Sequence, residues 1–349
     1  MMKRTKKLLA LLLSGALAVS ALSGCSSNDS GDGQDVLNIF TWADYFPQSI
    51  LDEFTAETGI KVNYNTFESN EEMLMKLQTA EGGDYDIILA SDYIIDIAVN
   101  EGLVAKLDKE QIPNFGNINP EFQGKFYDET NEYTVPYAAG IPLIIYKPSM
   151  IDFEVTGYED LWRDELADSV VVVDDARNII GITLKTMGKS FNETDPAVLE
   201  QAKEKLMGLK KNIRAFDYST PYNLMISGET SIGYMFTSQV VLATKENPDL
   251  KVCFPKEGMG FGIDSVFVPS AAPNSENAYK FINFILDGER SARISEETMY
   301  INCNSAATPY ITEEALILPE GALDEAEFIQ DVGDATSIYN DIWTEFKMS

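Results

Sequence analysis

Residues 36 to 102 alternate strand and helix signals three times, and this alternation limits the fold more than any other feature of the chain. Each short β-branched or aromatic run is followed by a segment with apolar residues on one helical face. Ser69 and Glu72 have the spacing of a capping box at the start of the second helix. The order β-α-β-α-β-α predicts a mainly parallel sheet flanked by helices, because parallel strands need crossover connections.

A second unit with the same signals begins at the four-valine run of residues 170–173, after a loop-rich middle segment. Asp195 and Pro196 predict the start of a helix as its cap and its first residue. Further strands and helices are predicted at residues 231–235, 252–254, 265–269, 275–286 and 334–347. The chain therefore predicts an α/β protein with two lobes, each with its own core. Two such lobes suggest a protein that closes on a small molecule.

The first 24 residues predict a secretory leader that is not part of the fold. Four basic residues precede an uncharged apolar run from Leu8 to Ala21, which is short for a transmembrane helix. The run ends in LSGC, which resembles a bacterial lipobox and implies that Cys25 is lipidated and anchors the chain. An ordinary signal peptide is the alternative. Residues 25–35, rich in Ser, Gly and Asp, predict a flexible tether.

Charge and composition exclude several classes of protein. The net charge is −30, and removing the basic leader leaves −34 without any basic run, which argues against nucleic-acid binding. The chain has no histidine, so His-based triads and His-ligated zinc sites are impossible. No cofactor and no metal are predicted, and a hydrolase with paired carboxylates is the remaining enzyme alternative. Cys253 and Cys303 are expected to be two inert thiols, with one disulfide as the alternative.

Acidic and aromatic residues gather where the predicted strands end, which is where open α/β sheets hold their ligands. These residues are Trp42, Asp44, Tyr45, Ser91, Tyr93, Asp175 and Asp264. Carboxylates accept hydrogen bonds from ammonium groups, and aromatic faces attract cations and pack against methylenes. Because no Lys or Arg crowds them, the carboxylates are expected to stay ionised. The pattern suits an organic cation.

Each of these residues also has a structural explanation. Asp174 or Asp175 can cap the helix that follows, and Asp92 is expected to be a helix cap beside the site. Trp42 and Tyr45 can be core or domain-edge packing. Most of the negative charge is expected to be solvated surface.

The order of several segments between residues 36 and 346 is more specific than any single motif. They include FTWADYF, YDIILASDYIID, VVVDDAR, FPKEG, KFINFIL and DVGDATSIY. This order resembles the spermidine/putrescine-binding proteins of bacterial ABC importers. The resemblance implies a two-lobed periplasmic-binding-protein fold with two crossovers, without enzymatic activity, that delivers polyamine to a membrane permease.

The resemblance also implies a division of the chain, with hinges near Ala139 and Ser265. The expected parts are the signal peptide (1–24), the tether (25–35), lobe 1 (36–139 and 266–301) and lobe 2 (140–265 and 302–349). Carried over position by position, it implies a ligand site made by both lobes. Its residues are Trp42, Asp44, Tyr45, Ser91, Tyr93, Asp175, Asn178, Phe236, Asp264 and Tyr300. Asp175 and Asp264 would hold amino groups, and the aromatic residues would line the methylene chain.

On one side of the cleft, this sequence departs from the family pattern. Tryptophans are replaced by Phe236 and Gly262, acids by Asn178 and Gln239, a glutamine by Ile329 and a threonine by Ala43. A different solute, such as a sugar, an amino-acid derivative or a metal chelate, is therefore the alternative. The prediction is a monomeric extracytoplasmic lipoprotein that captures a putrescine- or spermidine-class amine for an ABC permease.

Overall fold

The structure is a computed structural model that describes residues 36–349. The predicted signal peptide, Cys25 and the tether lie outside these residues. The strands are β1 (Val36–Thr41), β2 (Lys61–Thr66), β3 (Ile87–Ser91), β4 (Thr134–Gly140), β5 (Pro142–Tyr146), β6 (Val170–Val172), β7 (Ile213–Phe216), β8 (Ile232–Phe236), β9 (Lys251–Cys253), β10 (Gly260–Phe267), β11 (Ile301–Asn302) and β12 (Glu327–Phe328). The α-helices are α1 (Gln48–Thr58), α2 (Asn70–Thr79), α3 (Asp92–Asn100), α4 (Ala176–Thr186), α5 (Pro196–Met207), α6 (Tyr222–Ser227), α7 (Thr237–Glu246), α8 (Ser275–Ile285), α9 (Gly288–Thr298) and α10 (Thr336–Met348). Within the described chain, none of these helices could span a bilayer.

Two sheets organise the chain. The first has the order β11-β4-β10-β3-β1-β2, with β12 paired to β10, and the second has the order β7-β6-β8-β5-β9. β1 runs parallel to β2 and β3, and β6 runs parallel to β7 and β8. In the first sheet, β10 runs antiparallel to β3 and β4. In the second sheet, β5 runs antiparallel to β8 and β9. The two-sheet α/β architecture agrees with the sequence, but each sheet is mixed and not mainly parallel.

The antiparallel strands are those that enter a sheet from the other lobe. β4 leaves the first sheet at Gly140, and β5 begins at Pro142 beside Phe236, the last residue of β8. β10 enters the first sheet at Gly260, after a connection from β9. An entering strand starts at the edge where the parallel strands end, so it must run against them. The carboxyl ends of both sets of parallel strands therefore lie beside the two connections.

Sheet membership differs from the predicted division at two places. All of β10 pairs with the first sheet, so residues 260–265 belong there, and Ser265 lies opposite Ala90 inside the sheet. Asn302 also pairs with the first sheet, through β4. The second connection is therefore residues 254–259. α10 packs on α4 and α5.

Strand alternation explains how the first sheet fills two cores. Leu37 and Ile39 of β1 pack with Phe54 of α1 on one face, whereas Phe40 packs on the other. A separate cluster fills the second lobe beneath α4, α5 and α10. Cys253 and Cys303 lie buried and unpaired in these cores, which agrees with the expectation of inert thiols.

Helix starts follow the sequence signals more closely than the strands do. The Ser69 hydroxyl accepts a hydrogen bond from the Glu72 N–H at 3.1 Å, and Asp195 caps α5. The sequence did not predict β4, β5 or β7. β4 contains Pro136, which sequence patterns read as a strand breaker, and β7 is only partly buried, so it lacks a clear apolar pattern.

Candidate ligand-binding site

The first side of the candidate site lies where β1 and β3 end. The segment from Trp42 to Tyr45 follows β1 directly, and Ser91 is the last residue of β3. Asp264 of β10 lies opposite Ser91 in the antiparallel ladder and opposite Ala138 of β4. β10, which lies between β3 and β4, therefore brings Asp264 to the edge where β1 and β3 end.

Tyr45, Asp264 and Tyr300 form one cluster at this edge. The Tyr45 hydroxyl donates to Asp264 Oδ2 at 2.6 Å, and the rings of Tyr45 and Tyr300 lie 5.3 Å apart at 42°. The Tyr137 hydroxyl donates to the Tyr45 carbonyl at 2.5 Å and fixes the backbone of the segment. Burial and the negative charge of Asp264 raise the pKa of Tyr45, so this phenol stays protonated and remains a donor.

Burial modifies the expectation that the carboxylates stay ionised. Burial raises the pKa of Asp264, although hydrogen bonds from Tyr45 and Ser91 partly oppose the shift. Burial and the nearby charge of Asp264 raise the pKa of Asp92 to about 6. Neither lysine nor arginine offsets these shifts within the described chain. Two carboxylates thus share a cation-poor region. Residues 36–349 contain no group of three or more potential ligands arranged for a metal.

Asp92 connects α3 to β10. The sequence predicted it as the cap of α3, but it is the first residue of that helix. Its Oδ1 accepts from the Tyr93 N–H at 2.7 Å and its Oδ2 from the Ile263 N–H at 3.1 Å. The residue at the cap position is Ser91. A Cβ placed on Gly262 would have only Asp92 Oδ2 within 4 Å, at 3.6 Å. The space of the missing tryptophan is therefore open beside a carboxylate.

Trp42, Asp44 and Tyr93 lie around this cluster with different roles. Trp42 packs against Phe67 with ring centroids 4.4 Å apart, so it contributes to the core as well as to the edge. Asp44 is exposed and has φ 59, a left-handed conformation that Asp tolerates better than most residues. The Tyr93 hydroxyl donates to Glu71 Oε1 and accepts from the Asn70 amide, both at 3.0 Å. Tyr93 is thereby tied to the start of α2.

The second side of the site lies where β6 meets α4. Asp175 caps α4, and its Oδ1 accepts from the Asn178 N–H at 2.9 Å, so the capping explanation is correct. Asp174 accepts from Trp343 Nε1 at 3.1 Å and from Lys347, which ties it to α10. Asn178 is buried, and its Oδ1 accepts from the Tyr234 hydroxyl at 3.3 Å. Asp175 remains half-buried and keeps acceptor capacity.

Phe236 ends β8 on this second side. Its ring meets the Tyr218 ring edge-on at 5.8 Å, and its N–H donates to Gln239 Oε1 at 3.1 Å. The Gln239 amide in turn donates to the Tyr218 carbonyl at 2.8 Å. Gln239 therefore organises the local backbone.

The ten predicted site residues fall into three groups. Tyr45, Ser91, Asp264 and Tyr300 share one cluster, Asp175 and Asn178 begin α4, and the others contact different neighbours. Ser91 and Phe236 end their strands as the sequence pattern indicates, whereas Asp264, expected between two strands, lies inside β10. The ligand roles of all ten residues stay predictions. Tyr218, which follows β7 by two residues, was not predicted from the sequence. The one sequence signal that could have identified Tyr218 is the short strand IRAF (Ile213–Phe216) that precedes it.

Comparison with known proteins gives a consistent family. A family model described as bacterial extracellular solute-binding protein matches residues 49–317. The spermidine/putrescine-binding periplasmic protein of Salmonella typhimurium is 37% identical over 343 residues, covering 97% of each chain. The corresponding protein of Escherichia coli is 35% identical over 343 residues, again covering 97% of each chain.

Solved structures agree with these relatives. The crystal structure of the spermidine/putrescine ABC transporter substrate-binding protein PotD from Streptococcus pneumoniae matches with a TM-score of 0.80 and 33% identity, covering 90% of this chain and 98% of that one. The TpPotD lipoprotein of Treponema pallidum matches with a TM-score of 0.73 and 25% identity, covering 90% and 100%. These relatives are binding proteins and not enzymes, as expected from the sequence. This chain belongs to the bacterial extracellular solute-binding protein family, together with the spermidine/putrescine-binding proteins of ABC transporters.

Proposed function

We propose that this protein is a lipid-anchored substrate-binding protein that captures a polyamine between its two lobes and delivers it to an ABC permease. The observation that supports this most directly is Asp264. Its carboxylate accepts the Tyr45 hydroxyl, lies near Tyr300, and has no lysine or arginine offsetting its charge within residues 36–349. A partly buried carboxylate without a protein cation suits a ligand that brings the positive charge.

The Asp264 cluster would hold one ammonium group. An ionised carboxylate has about four acceptor positions, and Tyr45 occupies one of them. An ammonium group can then donate to the carboxylate while the rings of Tyr45 and Tyr300 contact the adjacent methylenes. Protonation of the carboxylate would remove this attraction, so the ligand itself would favour the ionised form.

The second lobe would hold the rest of the ligand. Asp175 would accept from a second ammonium, Phe236 would pack on the methylene chain, and Asp44 or Asn178 would set where the chain ends. A ligand that contacts both lobes stabilises the closed state, because its binding free energy is larger there. The chain passes between the two sheets near Ile141, at residues 254–259 and in the C-terminal segment, which suits such a movement.

Attachment and partners are part of the same proposal. Cys25 would be the lipidated N-terminus, residues 25–35 would be the tether, and the domain would act as a monomer outside the cell. The TpPotD relative of Treponema pallidum is itself a lipoprotein, which supports the anchor. Mass spectrometry of the membrane fraction tests it, since the wild-type chain should gain acyl mass that a Cys25→Ala chain lacks.

The test of ligand class is a thermal-shift and calorimetric screen of the soluble chain that begins at residue 26. Residues 35–349 form one compact unit, so this chain is expected to fold. Putrescine or spermidine should raise the melting temperature, whereas sugars and amino acids should not. A ligand at 100 times its dissociation constant adds about 2.7 kcal/mol to the free energy of unfolding. Stabilisation by a sugar or an amino acid, with none by amines at millimolar concentration, would overturn the assignment.

A further inference from the structure

Tyr218 occupies a position between the two sides of the candidate site. It follows β7. Because β6 runs parallel to both β7 and β8, all three strands end at the same edge of the second sheet. Its ring contacts Phe236 of the second lobe at 5.8 Å and 74°. The phenol of Tyr218 also lies close enough to Tyr300 of the first lobe to raise the pKa of that residue, after burial and Asp264.

Hydrogen bonds fix the backbone around Tyr218, whereas its side chain is largely exposed. The Gln239 amide donates to the Tyr218 carbonyl at 2.8 Å. Asp217 Oδ1 accepts from the N–H groups of Ser219 and Thr220 at 2.9 and 3.0 Å. The side chain is 59% exposed, so its ring is accessible to a ligand. A ring on a fixed backbone loses little conformational entropy when it contacts a ligand.

The wall of the first lobe lacks an aromatic side chain at position 262. Gly262 has no side chain, and the space beside it is open except for Asp92 Oδ2. An ammonium held by Asp264 would therefore meet no aromatic face from position 262. Tyr218 is the exposed aromatic side chain near both Phe236 and Tyr300, so it can supply that face from the second lobe.

We propose that Tyr218 is a specificity-determining residue that packs its ring on the methylene chain of a bound amine and meets Tyr300 when the lobes close. The inference rests on the proposed amine-binding function and names a residue of that site. A tyrosine face attracts a neighbouring ammonium and covers apolar methylenes at once. The ring, and not the hydroxyl, supplies both contributions.

Calorimetric titration of the soluble chain with putrescine tests the role. Tyr218→Ala should weaken binding about 3- to 30-fold, the range expected for loss of a desolvated aromatic contact with a cation. Tyr218→Phe should restore most of that loss, because the ring is kept. Tyr310→Ala is the matched control, since Tyr310 is 55% exposed on the 305–310 turn and should leave the affinity at the wild-type value. Equal affinities for wild type, Tyr218→Ala and Tyr310→Ala would overturn the inference.

Hydroxyl-radical footprinting of the wild-type chain gives a measurement that does not depend on a variant. Putrescine should reduce oxidation of Tyr218 several-fold and leave Tyr310 unchanged. If the wild type binds putrescine but Tyr218 is not protected, only this inference fails. If the wild type binds no amine at all, the proposed function fails, and the inference fails with it.

Discussion

The two sides of the cleft use their polar groups differently. On the first side, Tyr45 donates a hydrogen bond to the carboxylate of Asp264, which lies opposite Ser91 in the ladder and has no cation offsetting its charge within the described chain. On the second side, Asp175 and Asn178 bond to backbone and side chains of their own lobe. The first side is therefore organised to hold a charge, whereas the second is largely satisfied before any ligand arrives. We infer that affinity depends mainly on the first side and that closure and selectivity depend on the second.

The largest effect should come from Asp264→Asn. The substitution keeps the shape but removes the charge that would pair with an ammonium, and loss of one member of such a pair typically costs about 2 to 5 kcal/mol. Putrescine binding measured by calorimetry should therefore weaken by at least about 30-fold. The melting temperature of the unliganded chain should change little, because burial already disfavours this charge.

Asp341→Asn on α10 is the matched control, because Asp341 is exposed and far along the chain from the strand ends. It should leave both affinity and stability unchanged. If Asp264→Asn instead unfolds the chain without altering affinity in the folded fraction, Asp264 is a structural residue and the comparison of the two sides is reversed.

Asp175→Asn should have a smaller effect on putrescine binding, about 3- to 10-fold, because Asp175 is half-buried and already accepts an N–H. Asn is also a good helix cap, so the stability of the chain should be nearly unchanged. Asp175→Ala removes the cap as well, and should lower the free energy of unfolding by about 1 kcal/mol. An affinity loss for Asp175→Asn that exceeds that of Asp264→Asn would contradict the assigned order of the two sides.

Acid should weaken amine binding through the first side. The pKa of Asp92 is raised to about 6 and that of Asp264 is raised, so both gain protons in the unliganded chain as the pH falls, while the amine stays charged. If Asp92, with its pKa of about 6, must be ionised when the amine binds beside Asp264, affinity falls about 4-fold between pH 8 and pH 5.5. Titrations across this range check the slope, which should become shallower in Asp264→Asn.

Stability should respond in the opposite direction for Asp92. Its folded-state pKa of about 6 lies above the ordinary 3.8, so its stabilising contribution is complete below the ordinary value and is lost as the pH rises through 6. Comparing the wild type with Asp92→Ser at pH 5 and pH 8 isolates this contribution. If the free energy of unfolding of the wild type, relative to that of Asp92→Ser, increased with pH, the fold would stabilise the ionised form of Asp92 and the prediction would be wrong.

The smallest effect is expected for Phe236→Trp on the second side. A tryptophan face attracts a cation more strongly than a phenylalanine face, so putrescine binding should tighten by about 0.5 to 1 kcal/mol. Calorimetry can resolve this difference. Unchanged or weaker binding would indicate that this side serves a bulkier or less charged solute.

Strand ends were predictable from the sequence, but the bonding at the site was not. Buried apolar runs fix where β1, β3 and β6 end, and hence where Tyr45, Ser91 and Asp175 lie. Which carboxylate stays available depends on partners distant in sequence, such as the Ile263 N–H that occupies Asp92. Tyr218 was missed because β7 has only four residues and is half-exposed, so no pattern distinguishes it from a loop.

The buried thiols make the domain convenient to label. Burial and the charge of Asp264 raise the pKa of Cys303, and burial raises the pKa of Cys253 to about 12, so neither forms a thiolate near neutral pH. A chain that begins at residue 26 contains only these two cysteines. A maleimide dye attached to one new surface cysteine on each lobe would therefore react at the chosen positions alone. Energy transfer between two such dyes would follow the opening and closing of single molecules without removing a native cysteine.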